Sequence, residues 1–201
     1  MNTTDTLIKL SDVGKVLTGA TNSTYTKEAS DTNKEFNLLT GTAVTSEGTI
    51  NLAALETVWI EQDKDISRYL LKVGDVVLLA RGSAIRAALV SQEVASTKVI
   101  ASANFLIIRT DTSRIKPTVL LAYLNSPQGS SAIVAQSSGA VIQSVSASSL
   151  ADFRIPLPNL NRQNEIDELY QASTEAYRAT LALAEQQKVV ANARIANLMW
   201  C

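Results

Sequence analysis

IPLPNLNRQNEI (155–166) divides the chain into two parts with different secondary-structure patterns. Each proline holds the residue before it in an extended conformation, which disfavours a helix through this stretch. From Asn161 to the end there is no glycine and no proline, and the composition is rich in Ala, Leu, Glu and Gln, which favour helix. The sequence therefore predicts a domain at 1–158 and one long helix at 159–201.

The part before this boundary has mostly strand patterns. KVGDVVLLARG (72–82) is an apolar run between two turns, and AALVSQEVA (87–95) and KVIASANFLIIRT (98–110) are also typical of strands. Two helices are expected within this part, at 117–124, where Pro117 suits the first helical position, and at 129–136. The predicted fold class is α+β, a strand-dominated domain followed by one long C-terminal helix.

The residue types that are missing exclude most forms of catalysis. The chain has no histidine, which removes Ser-His-Asp triads, histidine general bases and nearly all zinc sites. The one cysteine, Cys201, allows no disulfide within the chain, and the eight glycines form neither a P-loop nor a GxGxxG turn. We expect no catalytic residue, no metal and no cofactor.

The beginning of the chain, MNTTDTLIKL (1–10), lacks the basic region and the continuous apolar run of a signal peptide. No apolar stretch approaches the roughly 20 residues that are needed to cross a bilayer. We therefore expect a cytoplasmic protein that makes no membrane contact.

The long helix carries an apolar stripe with a seven-residue spacing. Its two columns are Leu169, Ala176, Leu183, Val190 and Asn197, and Tyr170, Tyr177, Ala184, Ala191 and Leu198. One interpretation is a helix packed back onto its own domain. A helix of this length spans about 60 Å, however, which a small domain cannot cover. We favour a helix–helix seam, because an exposed apolar stripe requires a partner.

The quoted boundary closely resembles a stretch of type I restriction-modification specificity subunits, in which an Ile-Pro-hydrophobic-Pro run and a glutamine precede a spacer helix. The matching residues are Pro156, Pro158, Gln163 and Ile166. Four further segments resemble parts of that family in the same order: LIKLSDVGKVLTG (7–19), LLKVGDVVLLARGS (70–83), ANFLIIRT (103–110) and GAVIQSVSASSLADFRIPLP (139–158). The resemblance covers almost the whole chain.

This resemblance implies a non-catalytic subunit that recognises double-stranded DNA through a target-recognition domain. Members usually carry two recognition domains and two spacer helices, whereas this chain has one of each. The resemblance therefore implies a half-length form that pairs as a homodimer through an antiparallel coiled coil and reads a bipartite palindromic site; a truncated remnant is the alternative. The implied partners are a methyltransferase subunit that binds S-adenosylmethionine and, in a complete complex, a restriction or translocase subunit.

Two loops are the candidate DNA contacts. Arg81, Gly82, Ser83 and Arg86 combine a small residue, which lets the backbone approach a phosphate, with two guanidinium groups that can bind guanine or phosphate. The 18–27 loop offers donors, acceptors and an aromatic ring. The candidate residues of this loop are Thr18, Tyr25 and Lys27. A further basic candidate from the domain at 1–158 is Lys98. Either loop could instead be a solvated surface turn.

The overall net charge of −1 shows no basic excess, so DNA binding requires a basic face that is concentrated locally. Two other functions remain open at this point. One is a protein-interaction adaptor, in which a strand-rich platform is carried on a coiled-coil stalk. The other is an enzyme with a site made only of carboxylates, although no pair of acidic residues stands out.

Overall fold

The computed structural model describes residues 6–82, 85–136 and 143–200. The strands among these residues are β1 (Thr6–Lys9), β2 (Gly14–Thr18), β3 (Asn33–Leu39), β4 (Glu56–Glu61), β5 (Val76–Leu79), β6 (Arg81–Gly82), β7 (Arg86–Leu89), β8 (Val99–Ala101), β9 (Phe105–Thr110), β10 (Gln143–Ser144) and β11 (Arg154–Leu157). The helices are α1 (Gln92–Ser96), α2 (Pro117–Asn125), α3 (Pro127–Gln136), α4 (Ala147–Ala151) and α5 (Leu160–Met199). A strand-rich domain is thus followed by one long helix, as the sequence predicted.

The central layer is a four-stranded antiparallel sheet in the order β2-β9-β5-β7. Successive side chains of a strand point to opposite faces. In β5, Val76 and Leu78 therefore join one core cluster with α2 and α4, whereas Val77 and Leu79 join a second cluster with β3 and β8. The sheet is buried on both faces, which explains the uninterrupted apolar run of β5.

Three smaller sheets surround this layer: β4-β3-β8, β1-β11 and β6-β10. The pairing of β1 with β11 is antiparallel and sets Ile8 opposite Ile155. It places the first described strand beside the Ile-Pro-Leu-Pro stretch. The start of α5 is therefore anchored at the edge of the domain.

Several predicted elements are confirmed and others differ. The two helices expected near 117–124 and 129–136 are α2 and α3. The second half of the expected strand 87–95 is instead helix α1, because the Ser91 hydroxyl accepts a hydrogen bond from the Val94 N–H (3.3 Å) and caps a helix. The expected strand 98–110 is interrupted by a turn, so it forms β8 and β9. The second turn predicted at the end of 72–82 is in part a short strand, β6.

Helix α5 is held to the domain by a buried glutamine near its start. Asn159 caps the helix by accepting a hydrogen bond from the Arg162 N–H (3.0 Å). Gln163 is 4% exposed. Its Oε1 accepts from the Lys116 N–H (2.9 Å), and its Nε2 donates to the carbonyls of Arg114 (3.1 Å) and Pro158 (3.0 Å). We call this arrangement the Gln163 clamp.

The next two turns of α5 add a charged and an aromatic contact. Asp167 accepts hydrogen bonds from Lys116 Nζ and Thr118 Oγ1, both at 2.8 Å, and the Lys116 bond lowers the pKa of Asp167. Tyr170 packs against the domain core, and its hydroxyl donates to the Glu47 carbonyl (3.5 Å). The clamp and these contacts fix the direction in which α5 leaves the domain.

Beyond Tyr170 the helix makes one more side-chain contact with the domain, a hydrogen bond between Tyr177 and Glu47. Every residue from 175 to 200 is exposed. Leu183 is 56%, Val190 62% and Leu198 76% exposed. Of the eight nominated seam residues, Tyr170 packs on its own domain, and the others are exposed: Leu169, Ala176, Tyr177, Leu183, Ala184, Val190 and Leu198. The described contacts between the helix and the domain thus extend as far as Tyr177, and pairing with a second helix stays a prediction.

Candidate nucleic-acid interface

One end of the four-stranded sheet gathers the loops that the sequence nominated separately. Strand β2 ends there at Thr18 and β5 ends there at Leu79, both beside the start of β9, and β7 begins there at Arg86. The C-terminal ends of β2 and β5 therefore lie at the same end of the sheet. As a result, the 18–27 loop and the turn between β5 and β7 emerge side by side.

Gly19 lets the 18–27 loop lie directly on the turn between β8 and β9. Its N–H donates to the Phe105 carbonyl (3.0 Å). A Cβ on Gly19 would lie 2.0 Å from the carbonyl oxygen of Ser102, which is far inside van der Waals contact. Any side chain at this position would therefore push the loop away from the turn.

The converging loops enclose a cleft of about 680 Å³, which we call the sheet-end cleft. Three predicted DNA-contact residues line it: Tyr25, Lys27 and Arg81. The rest of the lining comes from the same loop and from the neighbouring ends of β3, β4 and β8: Thr21, Asn22, Leu38, Thr40, Glu56, Ser102, Ala103 and Asn104. Most of these residues carry hydroxyl, amide or charged groups, which are the groups that contact phosphates and base edges.

Lys27 and Glu56 form an ion pair on the wall of the sheet-end cleft. Lys27 Nζ donates to Glu56 Oε2 over 2.9 Å, and the two side chains are 73% and 42% exposed. The hydrogen bond to Glu56 raises the pKa of Lys27, so the lysine stays protonated. Partial burial, and then the charge of Glu56, raise the pKa of Tyr25, whose hydroxyl donates to Asn22 Oδ1 (2.8 Å). The cleft thus presents a neutral phenol beside a paired cation and carboxylate.

Arg81 opens β6 just after the end of β5, Arg86 begins β7, and both are exposed. Neither guanidinium makes an ion pair with any residue that the structure describes. Both groups are therefore available to an external anion or acceptor. Gly82 pairs with Gln143 in the β6-β10 sheet, and Ser83 lies outside the described residues.

The other two nominated residues are placed differently. Thr18 is exposed beside the cleft, where its hydroxyl accepts from an Arg68 guanidinium nitrogen (3.4 Å). Lys98 precedes β8 and has a φ of +52°. The three residues of β8 separate it from Ser102, so the two Cα atoms are about 13 Å apart along the strand. The structure therefore does not bring Lys98 into the lining of the cleft.

Sequence reasoning missed two cations that flank the 18–27 loop. Lys64 Nζ donates to the Ser23 carbonyl (2.7 Å), and Arg68 lies over the Tyr69 ring, 5.0 Å from its centroid. Both residues lie in an irregular segment more than 40 positions after the residues that they contact, and no motif marks that segment. Only the folded chain brings them beside Thr18 and Ser23.

The described ranges 6–82, 85–136 and 143–200 contain no group of three or more His, Cys, Asp or Glu side chains placed to bind a metal ion. Within the same ranges, none of the helices combines the length and the apolar character that a bilayer crossing requires. Helix α5 has sufficient length, but charged residues such as Glu185 and Lys188 recur along it.

Comparison with solved structures identifies chains that share this fold. A chain from a structure that concerns complex assembly and conformational transition of the type I R-M system matches with a TM-score of 0.60 and 23% identity, over 91% of this chain and 45% of its own length. The HsdS subunit from Thermoanaerobacter tengcongensis matches with a TM-score of 0.57 and 22% identity, over 94% and 46% of the two chains. The type I S subunit from M. genitalium matches with a TM-score of 0.53 and 17% identity, over 87% and 41%.

This chain therefore spans less than half the length of each of these three proteins. No curated protein matches the sequence significantly. Residues 5–176 match the family model described as the type I restriction modification DNA specificity domain. Because that match covers most of the chain, the protein belongs to the family of type I restriction-modification DNA specificity domains.

Proposed function

We propose that this chain is a sequence-specific, non-catalytic DNA-binding subunit of a type I restriction-modification complex, and that the sheet-end cleft and the hairpin beside it contact the DNA. The observation that carries the proposal is the convergence of the 18–27 loop and the β5–β7 hairpin at one end of the sheet. The convergence places Tyr25 and Arg81 in one polar cleft. The converging loops also bring cations together at one site, although the chain as a whole has no basic excess.

The residues around the cleft supply two kinds of DNA contact. An exposed guanidinium such as Arg81 or Arg86 can donate two hydrogen bonds to guanine O6 and N7, or it can bind a phosphate. Lys64 and Arg68 contact the 18–27 loop, and a phosphate contact from either residue requires only charge. Few cations serve each domain, so one chain is expected to bind DNA weakly.

We further propose that two copies pair through antiparallel α5 helices and read the two halves of a palindromic site. The exposed stripe along residues 175–200 supports this pairing, because the domain leaves it uncovered. Antiparallel helices place the two recognition domains at opposite ends of a spacer. Half-sites about one helical turn apart, roughly 34–36 Å, would then present the same groove to both domains.

Methyl transfer is assigned to a partner. A methyltransferase subunit that binds S-adenosylmethionine would dock on the spacer helices, and a restriction or translocase subunit would complete the complex. The purified chain, given S-adenosylmethionine and DNA, should transfer no methyl group. Turnover by a preparation free of partner subunits would contradict the non-catalytic assignment.

DNA recognition is tested by titrating the full chain with duplexes selected from a random library, at two salt concentrations. If Arg81 reads a base, Arg81→Ala should cost about 1–3 kcal/mol and relax preference at one position of each half-site. If it binds only phosphate, affinity should fall equally for all sequences and the salt slope should shrink by about one. Unchanged affinity in an Arg81→Ala/Arg86→Ala double variant would remove the hairpin from the interface.

The pairing of α5 is tested by light scattering at micromolar concentration, where the dimer has twice the chain mass of 21.6 kDa. Leu183→Asp places a charge in the proposed apolar seam and should weaken the dimer. Val189→Asp is the matched control, because Val189 is similarly exposed (60% against 56%) but has no seam residue three or four positions away, so it lies on another face of the helix. A monomeric wild-type chain, or equal effects of the two variants, would refute the seam.

A further inference from the structure

The sheet-end cleft contains a carboxylate, which is an unexpected group for a surface that contacts DNA. Glu56 stands at the start of β4 and lines the cleft together with Arg81. Phosphate oxygens carry negative charge and repel it. A carboxylate that is brought against DNA must therefore meet a hydrogen-bond donor, or else lose its hydration without compensation.

B-DNA offers very few donors to such a group. Guanine O6 and N7, adenine N7, thymine O4 and all phosphate oxygens are acceptors. In the major groove the donors are the amino groups of cytosine N4 and adenine N6, and in the minor groove the donor is guanine N2. The chemistry of Glu56 thus restricts which part of DNA can face this wall of the cleft.

The ion pair with Lys27 prepares one oxygen of Glu56 for such a contact. Lys27 Nζ holds Oε2 at 2.9 Å, and Oε1 accepts no hydrogen bond from the described residues. The lysine also offsets the carboxylate charge, which reduces repulsion by nearby phosphates. The Glu56 carboxylate therefore has one oxygen paired with Lys27 and one acceptor free.

Arg81 supplies hydrogen-bond donors beside the Glu56 acceptor. Its guanidinium presents paired donors that match guanine O6 and N7, whereas Glu56 presents an acceptor that matches cytosine N4. The major-groove edge of a G·C pair carries these two acceptors and this donor next to one another. A cleft lined by one donor fork and one acceptor fits this edge and does not fit an A·T pair equally well.

We propose that the sheet-end cleft recognises a G·C base pair in the major groove, with Glu56 accepting from cytosine N4 and Arg81 donating to guanine. This inference rests on the proposed DNA-binding function and names the base pair that the cleft takes. Glu56 is then a specificity residue, and Lys27 is the residue that positions it.

The test compares the base preferences of the full chain and of Glu56→Gln by selection from a random duplex library. Wild type should require G·C at one position of each half-site. Glu56→Gln should lose that preference by about tenfold, since its amide can present a donor where the carboxylate only accepts, and should keep the preference at other positions. Glu61→Gln is the matched control, because it removes the same charge at the other end of β4, about 17 Å away.

A second probe identifies the groove. Replacing the selected guanine with inosine removes the minor-groove N2 amino group and leaves the major-groove edge intact, so wild-type affinity should not change. Loss of affinity with inosine would overturn the major-groove assignment. Retained preferences in Glu56→Gln, with affinity raised equally for all duplexes as in Glu61→Gln, would reduce Glu56 to a repulsive charge and overturn the proposal. If wild type enriches no sequence at all, the proposed function itself is wrong, and this inference falls with it.

Discussion

Replacing Gln163 with alanine should loosen the attachment of the long helix and destabilise the whole chain. The substitution leaves three backbone groups without their partner: the Lys116 N–H and the carbonyls of Arg114 and Pro158. Gln163 is 4% exposed, so water cannot readily replace the lost hydrogen bonds. At about 1 kcal/mol for each bond, the free energy of unfolding should fall by about 3 kcal/mol. For a chain of this size, such a loss lowers Tm by about 6–12 °C.

The assay is urea and thermal unfolding followed by circular dichroism, with Gln186→Ala as the control. Gln186 is exposed on the same helix, so its substitution should change stability by less than about 0.5 kcal/mol. Gln163→Glu tests whether the donor groups of the side chain are required. It keeps the acceptor for Lys116 but turns an oxygen toward two carbonyls, so it should be at least as harmful as alanine at neutral pH. Acidification should recover part of the loss, because a protonated carboxyl donates one hydrogen bond.

A result within about 0.5 kcal/mol of wild type for Gln163→Ala would refute the clamp as the main attachment of α5. A loss confined to Gln163→Glu would show that only the introduced charge matters. The functional consequence can be measured in the same variants. Since the clamp fixes the direction of α5, its loss should broaden the spacing between half-sites that the proposed dimer accepts.

Three further predictions concern the support of the domain and of the cleft. Asp75 is 1% exposed and accepts two hydrogen bonds from Arg109 (2.9 and 2.7 Å), so Asp75→Ala should cost about 3–5 kcal/mol in urea unfolding because it strands a partly buried cation. Gly19→Ala should cost roughly 1–3 kcal/mol and weaken DNA binding, whereas Gly41→Ala, whose added Cβ approaches only a side chain at 3.4 Å, should be close to neutral. Hydrogen bonds, the strongest from Ser46, lower the pKa of Glu47 to about 2 from 4.5, so its contribution to stability is present above about pH 4.5 and is lost as the pH falls toward 2. Melting curves of Glu47→Gln should lack this part of the acid dependence.

Local patterns were enough to predict much of the fold. The prolines at 156 and 158 and the helix-forming composition after them predicted a long helix in this region, which begins at Leu160, since both effects act over a few residues. Helix α1 was missed because a single hydroxyl, that of Ser91, decides it within an otherwise strand-like run. The pairing of β1 with β11 joins residues almost 150 positions apart, and no local pattern specifies such a partner.

In the candidate site, the sequence indicated which residue types suit DNA binding, but not which residues lie close together. Tyr25, Lys27 and Arg81 were nominated because their side chains suit DNA, and the structure places all three in one cleft. Glu56 could not be nominated, because an acidic residue at the start of a strand has no distinguishing pattern. It reaches the cleft because β4 pairs with β3, which sets Leu38 opposite Glu56.

The near-neutral charge of the chain is compatible with DNA binding once the positions of the charges are considered. Three acidic residues, Asp31, Glu61 and Asp63, line a common surface depression at one end of the β3–β4 ladder. The sheet-end cleft lies at the other end of this ladder, beside Glu56. When acidic and basic residues lie on different parts of the surface, a protein of low net charge still has an asymmetric electrostatic potential. Such a potential can orient the protein toward a polyanion. The salt dependence of binding should therefore follow the few cations around the cleft and not the net charge, because only phosphates that are neutralised in the complex release counterions.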